Sequence, residues 1–304
     1  MSQPSPASVS PSWEERKTRA TKLRSQQPHA EQLLTFYLHL LELQEPVYRR
    51  ALTSDWLSRV RATSDSESPL LRLERLPVKE MVSSFQGFLR DVSAPATAVL
   101  ARIARTLQSA GTSTQAELLE SFVSRNRLER LAASLECEPV QLEFFPRAFL
   151  QPIAEALAEG NVRMGVPSLR VEETPGVAGS SDAPERACPL CGWPPQVAVV
   201  RDEPEVKGRR LLVCSLCATS WSFPRSMCPS CGETRAEQLI YYVSDSMSHV
   251  RVEECRTCRA YLKSVDLREH GTAAPLVDDL ASVELDLWSD DRDLWKIQRN
   301  VLSL

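Results

Sequence analysis

Several features are scarce in this sequence, and each scarcity narrows the class of protein. Glycine occurs only 10 times in 304 residues, which disfavours a loop-rich or all-β chain and favours helix. No apolar run approaches the roughly 18 residues that a membrane-spanning helix needs. The opening residues, MSQPSPASVSPSWEERKTRA, have no apolar segment behind their charges, so we do not expect a secretory signal. These absences predict a cytoplasmic, helix-rich protein with no membrane insertion.

An excess of positive charge is also absent. The formal net charge is −4 and the isoelectric point is about 5.8. The cysteine-bearing stretch 188–270 carries 11 Lys and Arg against 10 Asp and Glu, so it has no hidden basic character. Because affinity for nucleic acid depends on neutralising phosphates, we expect no nucleic-acid partner.

Residues that carry catalysis are poorly represented. The four histidines share no ligand spacing, and His249, within the second cysteine repeat, is best explained by packing or surface exposure. The chain contains no nucleophile elbow, phosphate loop or acid/base pair. The sequence therefore predicts a protein that is not an enzyme, with no catalytic residue and no organic cofactor.

The first half of the chain is predicted to be helical. Residues 1–12 are rich in Ser and Pro, have little to bury, and are predicted to form a disordered tail. Residues 13–160 are predicted to form a multihelical domain, and its clearest apolar stripe comprises Ala30, Leu33, Leu34, Tyr37, Leu38 and Leu41. Prolines at 28, 46, 77, 95, 139 and 152 are expected near helix starts, where a missing N–H costs least.

The second half changes character. Residues 161–187 have the Gly, Pro, Ser and charge content of a linker. Residues 188–226 and 227–270 contain short strand-like runs and are predicted to be two metal ribbons, and 271–304 is a predicted C-terminal helical extension. The predicted fold class is α with a small β part: an N-terminal multihelical domain, two tandem rubredoxin-like or zinc-ribbon modules, and a C-terminal helical segment.

Nine cysteines are present, and eight of them form four C-x-x-C pairs whose spacing repeats. Twenty-two residues separate Cys191 from Cys214 and 23 separate Cys231 from Cys255, whereas only 10 separate Cys217 from Cys228. In each unit of about 40 residues a C-P-x-C-G pair leads and a second pair closes. The spacing therefore predicts that each unit folds back on itself and brings its own two pairs together.

Four thiolates on two tight knuckles can surround one ion tetrahedrally. The predicted ligands are Cys188, Cys191, Cys214 and Cys217 in the first site, and Cys228, Cys231, Cys255 and Cys258 in the second. Zinc and iron both accept such a set, and the spacing does not choose between them. Since every position is taken by protein, both sites are predicted to be structural.

The knuckles differ in the residue that follows each pair. Gly192 and Gly232 permit the positive φ that turns backbone amides toward the sulfurs. Ala218 and Arg259 occupy the corresponding positions of the second knuckles, which are predicted to be strained or differently turned.

Cys137 stands alone and is predicted to be a buried helix-end thiol. For Trp193, Trp221 and Tyr261, close to the paired cysteines, packing is favoured over a binding surface.

The C-terminal stretch VDDLASVELDLWSDDRD is acidic with a moderate apolar stripe. Its carboxylates could suggest a metal or catalytic pair, but no His or Lys stands among them. We therefore expect a helix that docks onto the ribbons and keeps its acids solvated or near a helix N-terminus.

Together these features resemble the formate dehydrogenase accessory protein family, FdhE. The resemblance rests on the helical half, the linker, the two CPxCG ribbons and the strings CSLCATSW, CRTCRAYLKSVDL and DDLASVELDLW. It implies a cytoplasmic maturation factor that binds the catalytic subunit of formate dehydrogenase and is needed for its activity. It also implies rubredoxin-like iron at the eight paired cysteines, and it makes Asp278 and Asp279 signature residues of unassigned role.

A homodimer is one option for the assembly of this protein. Two other functional classes also stay open. A zinc-ribbon nucleic-acid-binding protein would show salt-sensitive affinity for DNA or RNA. A redox enzyme would need reversible metal loss and disulfide cycling at one C-x-x-C pair.

Overall fold

The computed structural model describes residues 12–62, 68–94, 96–163 and 184–302. The predicted tail lies outside these residues except for Ser12, as does most of the predicted linker. Eight helices are described before the linker: α1 (Trp13–Gln26), α2 (Glu31–Leu52), α3 (Trp56–Val60), α4 (Val78–Ser93), α5 (Ala98–Ser109), α6 (Gly111–Val123), α7 (Glu129–Ser134) and α8 (Pro139–Arg163). The multihelical first half is thus confirmed.

Helix α1 starts at a reciprocal cap. The backbone N–H of Glu15 donates to the Ser12 hydroxyl, and the Glu15 carboxylate accepts from the Ser12 N–H at 2.7 Å. Two N–H groups that the first turn would leave unpaired are thereby satisfied, which fixes where the helix begins.

Two of the six prolines do not stand near helix starts. Pro46 lies inside α2, and Pro152 lies inside α8 together with Pro146. Pro152 has no N–H to donate to the Ala148 carbonyl four residues earlier, and the buried Gln44 side-chain amide donates to that oxygen at 2.7 Å instead. Packing of α2 on α8 therefore repairs the break that the proline would cause.

The other prolines behave as expected or cannot be assessed. Pro28 opens a 3-10 turn, Pro77 caps α4 and Pro139 is the first residue of α8. Pro95 lies outside the described residues. The helices enclose a core rich in phenylalanine, in which the Phe85 and Phe149 ring centroids are 5.1 Å apart.

In the part of the chain that the structure describes, seven strands form one continuous sheet: β1 (Pro195–Arg201), β2 (Arg209–Cys214), β3 (Ser220–Ser222), β4 (Leu239–Val243), β5 (Val250–Cys255), β6 (Ala260–Asp266) and β7 (Trp295–Lys296). The order is β3-β2-β1-β6-β5-β4, with β7 alongside β6. Pairing within each ribbon is antiparallel, whereas β1 and β6 run parallel, with Val197 opposite Lys263. The tandem ribbons are confirmed. The parallel pairing of β1 with β6, here called the parallel seam, joins the two ribbons and is not predicted by the sequence pattern.

Within the described residues, two short helices lie between β6 and β7, α9 (Pro275–Ala281) and α10 (Val283–Asp290). Helix α9 packs against β1 and β6 on one side and against α1 on another, so the predicted docking of this segment on the ribbons is observed. Among the helices that the structure describes, none combines the length and the apolar character needed to cross a bilayer.

Candidate metal centres

The eight paired cysteines form two groups, and within each the four Sγ atoms lie within 4.8 Å of one another. The first site comprises Cys188, Cys191, Cys214 and Cys217; the second site comprises Cys228, Cys231, Cys255 and Cys258. These are the two sets that the spacing predicts. The adjacent pairs on either side of the 10-residue interval belong to different sites.

The sulfur spacing fits a tetrahedral ion. In the first site Sγ of Cys188 is 3.6 Å from that of Cys217, and Sγ of Cys191 is 3.4 Å from that of Cys214. The corresponding distances in the second site are 3.8 and 3.7 Å. A tetrahedron with metal–sulfur bonds of about 2.3 Å has edges of about 3.8 Å, so each group could hold one such ion.

The leading knuckles use glycine as predicted. Gly192 and Gly232 have φ of 75° and 82°, and their amides donate to the carbonyls of Cys188 and Cys228 at 2.7 and 3.0 Å. This tight turn brings the two sulfurs of each pair to the same side. In the second site, the Ser230 amide lies 3.4 Å from the Cys228 sulfur and stabilises charge there.

The closing knuckles adopt the same backbone without glycine. Ala218 and Arg259 have φ of 55° and 61°, a region that costs L-residues about 1–2 kcal/mol. The predicted strain is therefore present. The Leu216 and Cys217 amides point at the Cys214 sulfur, at 3.4 and 3.5 Å.

Burial shapes the electrostatics of both sites. All four first-site cysteines are buried, and this burial raises the pKa of the Cys188 and Cys191 thiols well above the usual value. Burial also raises the pKa of Cys228 in the second site. Four thiolates at one place would repel each other in a medium of low dielectric constant, and a cation bound among them could offset that repulsion.

The aromatic residues near the cysteines pack rather than present a surface. Trp193 stacks on Phe122 with 4.7 Å between ring centroids, beneath the Arg147 guanidinium. Trp221 donates its indole N–H to the Glu185 carbonyl at 2.8 Å, and Tyr261 donates its hydroxyl to Asp286 at 2.8 Å. All three rings are buried.

The two signature aspartates are buried, which corrects the expectation of solvated acids. The alternative, a position near a helix N-terminus, holds for Asp278, which lies in the first turn of α9 and accepts from the Ala274 N–H at 2.8 Å. Asp278 accepts two bonds from the Arg19 guanidinium, at 3.0 and 2.5 Å, and lies 2.7 Å from Nε2 of His249. Despite burial, His249 and Arg19 hold the pKa of the Asp278 carboxyl below its usual value. This ion pair connects α1 to α9.

Asp279 belongs to a second buried cluster. Its carboxylate is 3.0 Å from Nζ of Lys263, 2.9 Å from Nζ of Lys296 and 3.0 Å from the Gln196 amide. Although burial opposes ionisation, Lys263 and Lys296 lower the pKa of Asp279 to about 2. Asp286 pairs with the same two lysines, at 2.6 and 2.9 Å.

Sequence reasoning missed these partners because each comes from a different element. Lys263 stands on β6 and Lys296 on β7, and both lie outside the acidic string 277–293. The position of Lys263 between Leu262 and Ser264 in a strand could have indicated a buried lysine. Because buried lysines are nearly always paired, it would also have indicated an acidic partner. Asp290, Asp291 and Asp293 are exposed, as expected for solvated acids.

Cys137 is less buried than predicted, whereas His249 has a packing role as predicted. Cys137 follows the end of α7, is half-buried and lies 3.7 Å from the Ala132 carbonyl. His249 is bound to Asp278 and Arg19, a packing role rather than a metal one.

Comparison with known proteins adds three observations. Family models described as "FdhE, central domain" and "FdhE, C-terminal domain" match residues 187–225 and 227–303. A protein FdhE homolog of Aquifex aeolicus (strain VF5) is 27% identical over 293 residues, covering 93% of both chains. A homolog of Shewanella baltica (strain OS185) is 36% identical over 104 residues, so that match spans only 34% of either chain.

The fold has a solved counterpart in the crystal structure of the FdhE protein from Pseudomonas aeruginosa. The TM-score is 0.61 with 22% sequence identity, and the match covers 96% of each chain. That structure supports the arrangement of helices and sheet along nearly the whole length. Two family models in tandem, a relative similar from end to end and a shared fold agree: the chain belongs to the FdhE family.

Proposed function

We propose that this protein is a cytoplasmic accessory factor for formate dehydrogenase. It binds the catalytic subunit of that enzyme and is needed for its activity, and it catalyses no reaction of its own. The observation that carries the proposal is membership of the FdhE family along nearly the whole chain, including the ribbons and the paired aspartates.

We further propose that the eight paired cysteines hold two ions, iron or zinc. The ribbons 188–226 and 227–270 would each carry one ion, attached to the helical domain 13–160 through the linker 161–187 and followed by the extension 271–304. All four positions of each tetrahedron are filled by protein, which supports a structural role for the metal. Such an ion stabilises ribbons too small to fold on a core of their own.

The alternative, a zinc-ribbon nucleic-acid-binding protein, is not favoured. The formal net charge of −4 offers little neutralisation of phosphates, and several basic side chains of the ribbons are already paired with acids, such as Arg210 with Glu253 at 2.5 Å. Salt-sensitive retention of DNA or RNA in a filter-binding assay would reverse this preference.

Function is tested by binding and by genetics. The purified full chain is expected to co-elute with a formate dehydrogenase catalytic subunit in size-exclusion chromatography. A host lacking the gene is expected to lose formate dehydrogenase activity and to regain it from a plasmid copy. Full activity without the gene, together with no detectable complex, would overturn the proposal.

Metal content is tested on protein purified without air. Elemental analysis is expected to find about two ions per chain, with a red sulfur-to-iron charge-transfer spectrum for iron and no colour for zinc. The Cys214→Ser variant should lose about half of the metal, whereas Cys137→Ser, which alters the unpaired cysteine, should keep all of it. Protein without bound metal would refute the metal sites while leaving the binding assay unaffected.

A further inference from the structure

The two sites differ in the solvent exposure of their cysteine residues. Cys191 and Cys231 occupy the same position of the repeated C-P-x-C-G knuckle, yet Cys191 is 3% exposed while Cys231 is exposed. The closing pairs differ in the same direction, since Cys217 is buried and Cys258 is half-buried. One local sequence pattern has therefore produced one enclosed site and one open site.

The enclosed site is covered by the helical part of the chain. The amides of Leu70 and Leu71 donate to the carbonyls of Pro189 and Leu190, at 3.2 and 2.7 Å, so this segment lies along the first knuckle. On the same knuckle, Trp193 is packed against Phe122 from α6. The first site thus lies at the junction between helices and sheet.

The space beside each knuckle glycine makes the difference quantitative. A Cβ placed on Gly192 would collide with the Arg125 guanidinium and approach Pro69 to 3.2 Å. Among the residues that the structure describes, a Cβ on Gly232 would meet only Arg186, at 4.0 Å. The first knuckle is sealed by neighbouring side chains, and the equivalent knuckle of the second site is open.

The second site is held by polar contacts that fix its backbone and leave the residue Cys231 exposed. Trp295 donates its indole N–H to the Cys258 carbonyl at 2.8 Å, and Arg186 donates to the Ser230 carbonyl at 2.8 Å. Thr257 donates to the Glu233 carboxylate at 2.6 Å, joining the two knuckles across the site. These contacts preserve the geometry of four sulfurs while Cys231 still faces solvent.

Access decides how fast a thiolate-bound ion exchanges. An incoming donor must bond to the metal as a cysteine sulfur leaves, so the rate depends on whether the donor can reach the site. The released thiolate takes up a proton or awaits the next ion, and no electron is transferred. An open site with an exposed ligand residue permits this substitution, and a sealed one hinders it.

We propose that the second site is a metal-exchange site, through which a soft or borderline divalent ion passes to and from small thiols or nitrogen chelators by way of Cys231. The first site retains its ion and anchors the helices to the sheet. This inference rests on the metal binding proposed above.

The test uses the full chain loaded with two zinc ions and mixed with excess 4-(2-pyridylazo)resorcinol. Release is expected in two phases of one ion each, the first at least about tenfold faster than the second, because the chelator reaches only one site directly. Iodoacetamide labelling during release, followed by peptide mass spectrometry, should find Cys231 and Cys258 modified before Cys188 and Cys191.

Matched variants assign the phases. Cys231→Ser is expected to remove the fast phase and leave one slowly released ion with unchanged helix content by circular dichroism. Cys191→Ser is expected to remove the slow phase or to lower helical stability, and should it not fold, the labelling order in the unsubstituted protein still decides. One release rate for both ions, or labelling of Cys191 first, would overturn the exchange proposal. Absence of zinc from the purified protein would instead refute the metal sites themselves.

Discussion

Lys263 has no exposed surface, and its ammonium group makes several polar contacts. Nζ donates to the Asp279 and Ser282 carbonyls and to Asp286, at 2.5, 3.2 and 2.6 Å, and lies 3.0 Å from the Asp279 carboxylate. Removing a charge from water costs several kcal/mol, and only such complete pairing offsets that cost. Loss of this one residue would leave two buried carboxylates with Lys296 as their remaining cation.

We therefore expect Lys263→Met to lower the free energy of unfolding by about 3–5 kcal/mol, as for other broken buried pairs. Urea denaturation followed by circular dichroism measures the change. Lys207→Met is the control, because Lys207 is exposed and its 3.2 Å pair with Asp202 is worth less than about 1 kcal/mol. Equal costs for the two variants would refute the view that the buried cluster is a stabilising unit.

The knuckle glycines allow a second comparison between single residues. Gly192→Ala and Gly232→Ala both place a Cβ at positive φ, at a cost of about 1–2 kcal/mol each. Only Gly192→Ala must also displace Arg125, so it should lower the melting temperature further in a thermal scan. A larger effect at Gly232 would show that steric conflict at the first knuckle is not the deciding term.

At the scale of elements, the closing knuckles retain strain that the leading ones avoid. Ala218, with φ of 55°, is buried between Cys217 and Thr219 at the turn from β2 to β3. Glycine there would remove the strain of the positive φ, but it would also raise the conformational entropy of the unfolded chain. The two effects on the free energy of unfolding are of similar size, so we expect a small net change. Its sign shows which of the two effects is larger.

Ala218→Gly is expected to leave stability unchanged or raise it by up to about 1 kcal/mol. The same replacement inside a helix, Ala116→Gly in α6, should cost about 1 kcal/mol. Urea midpoints of the two variants measure the difference. Destabilisation of both to the same extent would contradict the inferred strain.

The elements also show how far local pattern predicts structure. Cysteine spacing identified both groups of four sulfurs because knuckle geometry is set within a few residues. Proline at 152 suggested a helix start, whereas a distant Gln44 satisfies the carbonyl that this proline leaves free. The parallel pairing of β1 with β6 and the cations around Asp279 depend on segments far apart in the chain. Local sequence periodicity therefore cannot predict them.

At the scale of the whole molecule, one helix face of α1 holds the two halves together. Arg19 pairs with Asp278 of α9, and Arg16 pairs with Glu155 of α8 at 2.8 Å. These buried side chains connect the first helix both to the end of the helical part and to the C-terminal part. Arg19 thus forms an ion pair that links two regions remote in sequence, here called the joint between α1 and α9.

Arg19→Met should release that joint and destabilise the protein by about 3–5 kcal/mol, because Asp278 loses its bidentate partner inside the protein. Hydrogen exchange by mass spectrometry should show faster exchange in both α1 and α9, with strands β4 and β5 unaffected. Lys22→Met, an exposed change on the same helix, is expected to alter neither. Faster exchange confined to α1 would show that Arg19 does not couple the two regions.

The parallel seam between β1 and β6 has a consequence for biosynthesis. The first of these strands leaves the ribosome well before the second, so the edge of β1 that β6 covers in the fold lacks its partner while the four intervening strands are still being made. Arg19 likewise waits for Asp278, which is translated later still. Assembly of this fold is therefore completed from its carboxy-terminal side, and a nascent chain arrested before β6 would expose both an open strand edge and an unmatched guanidinium.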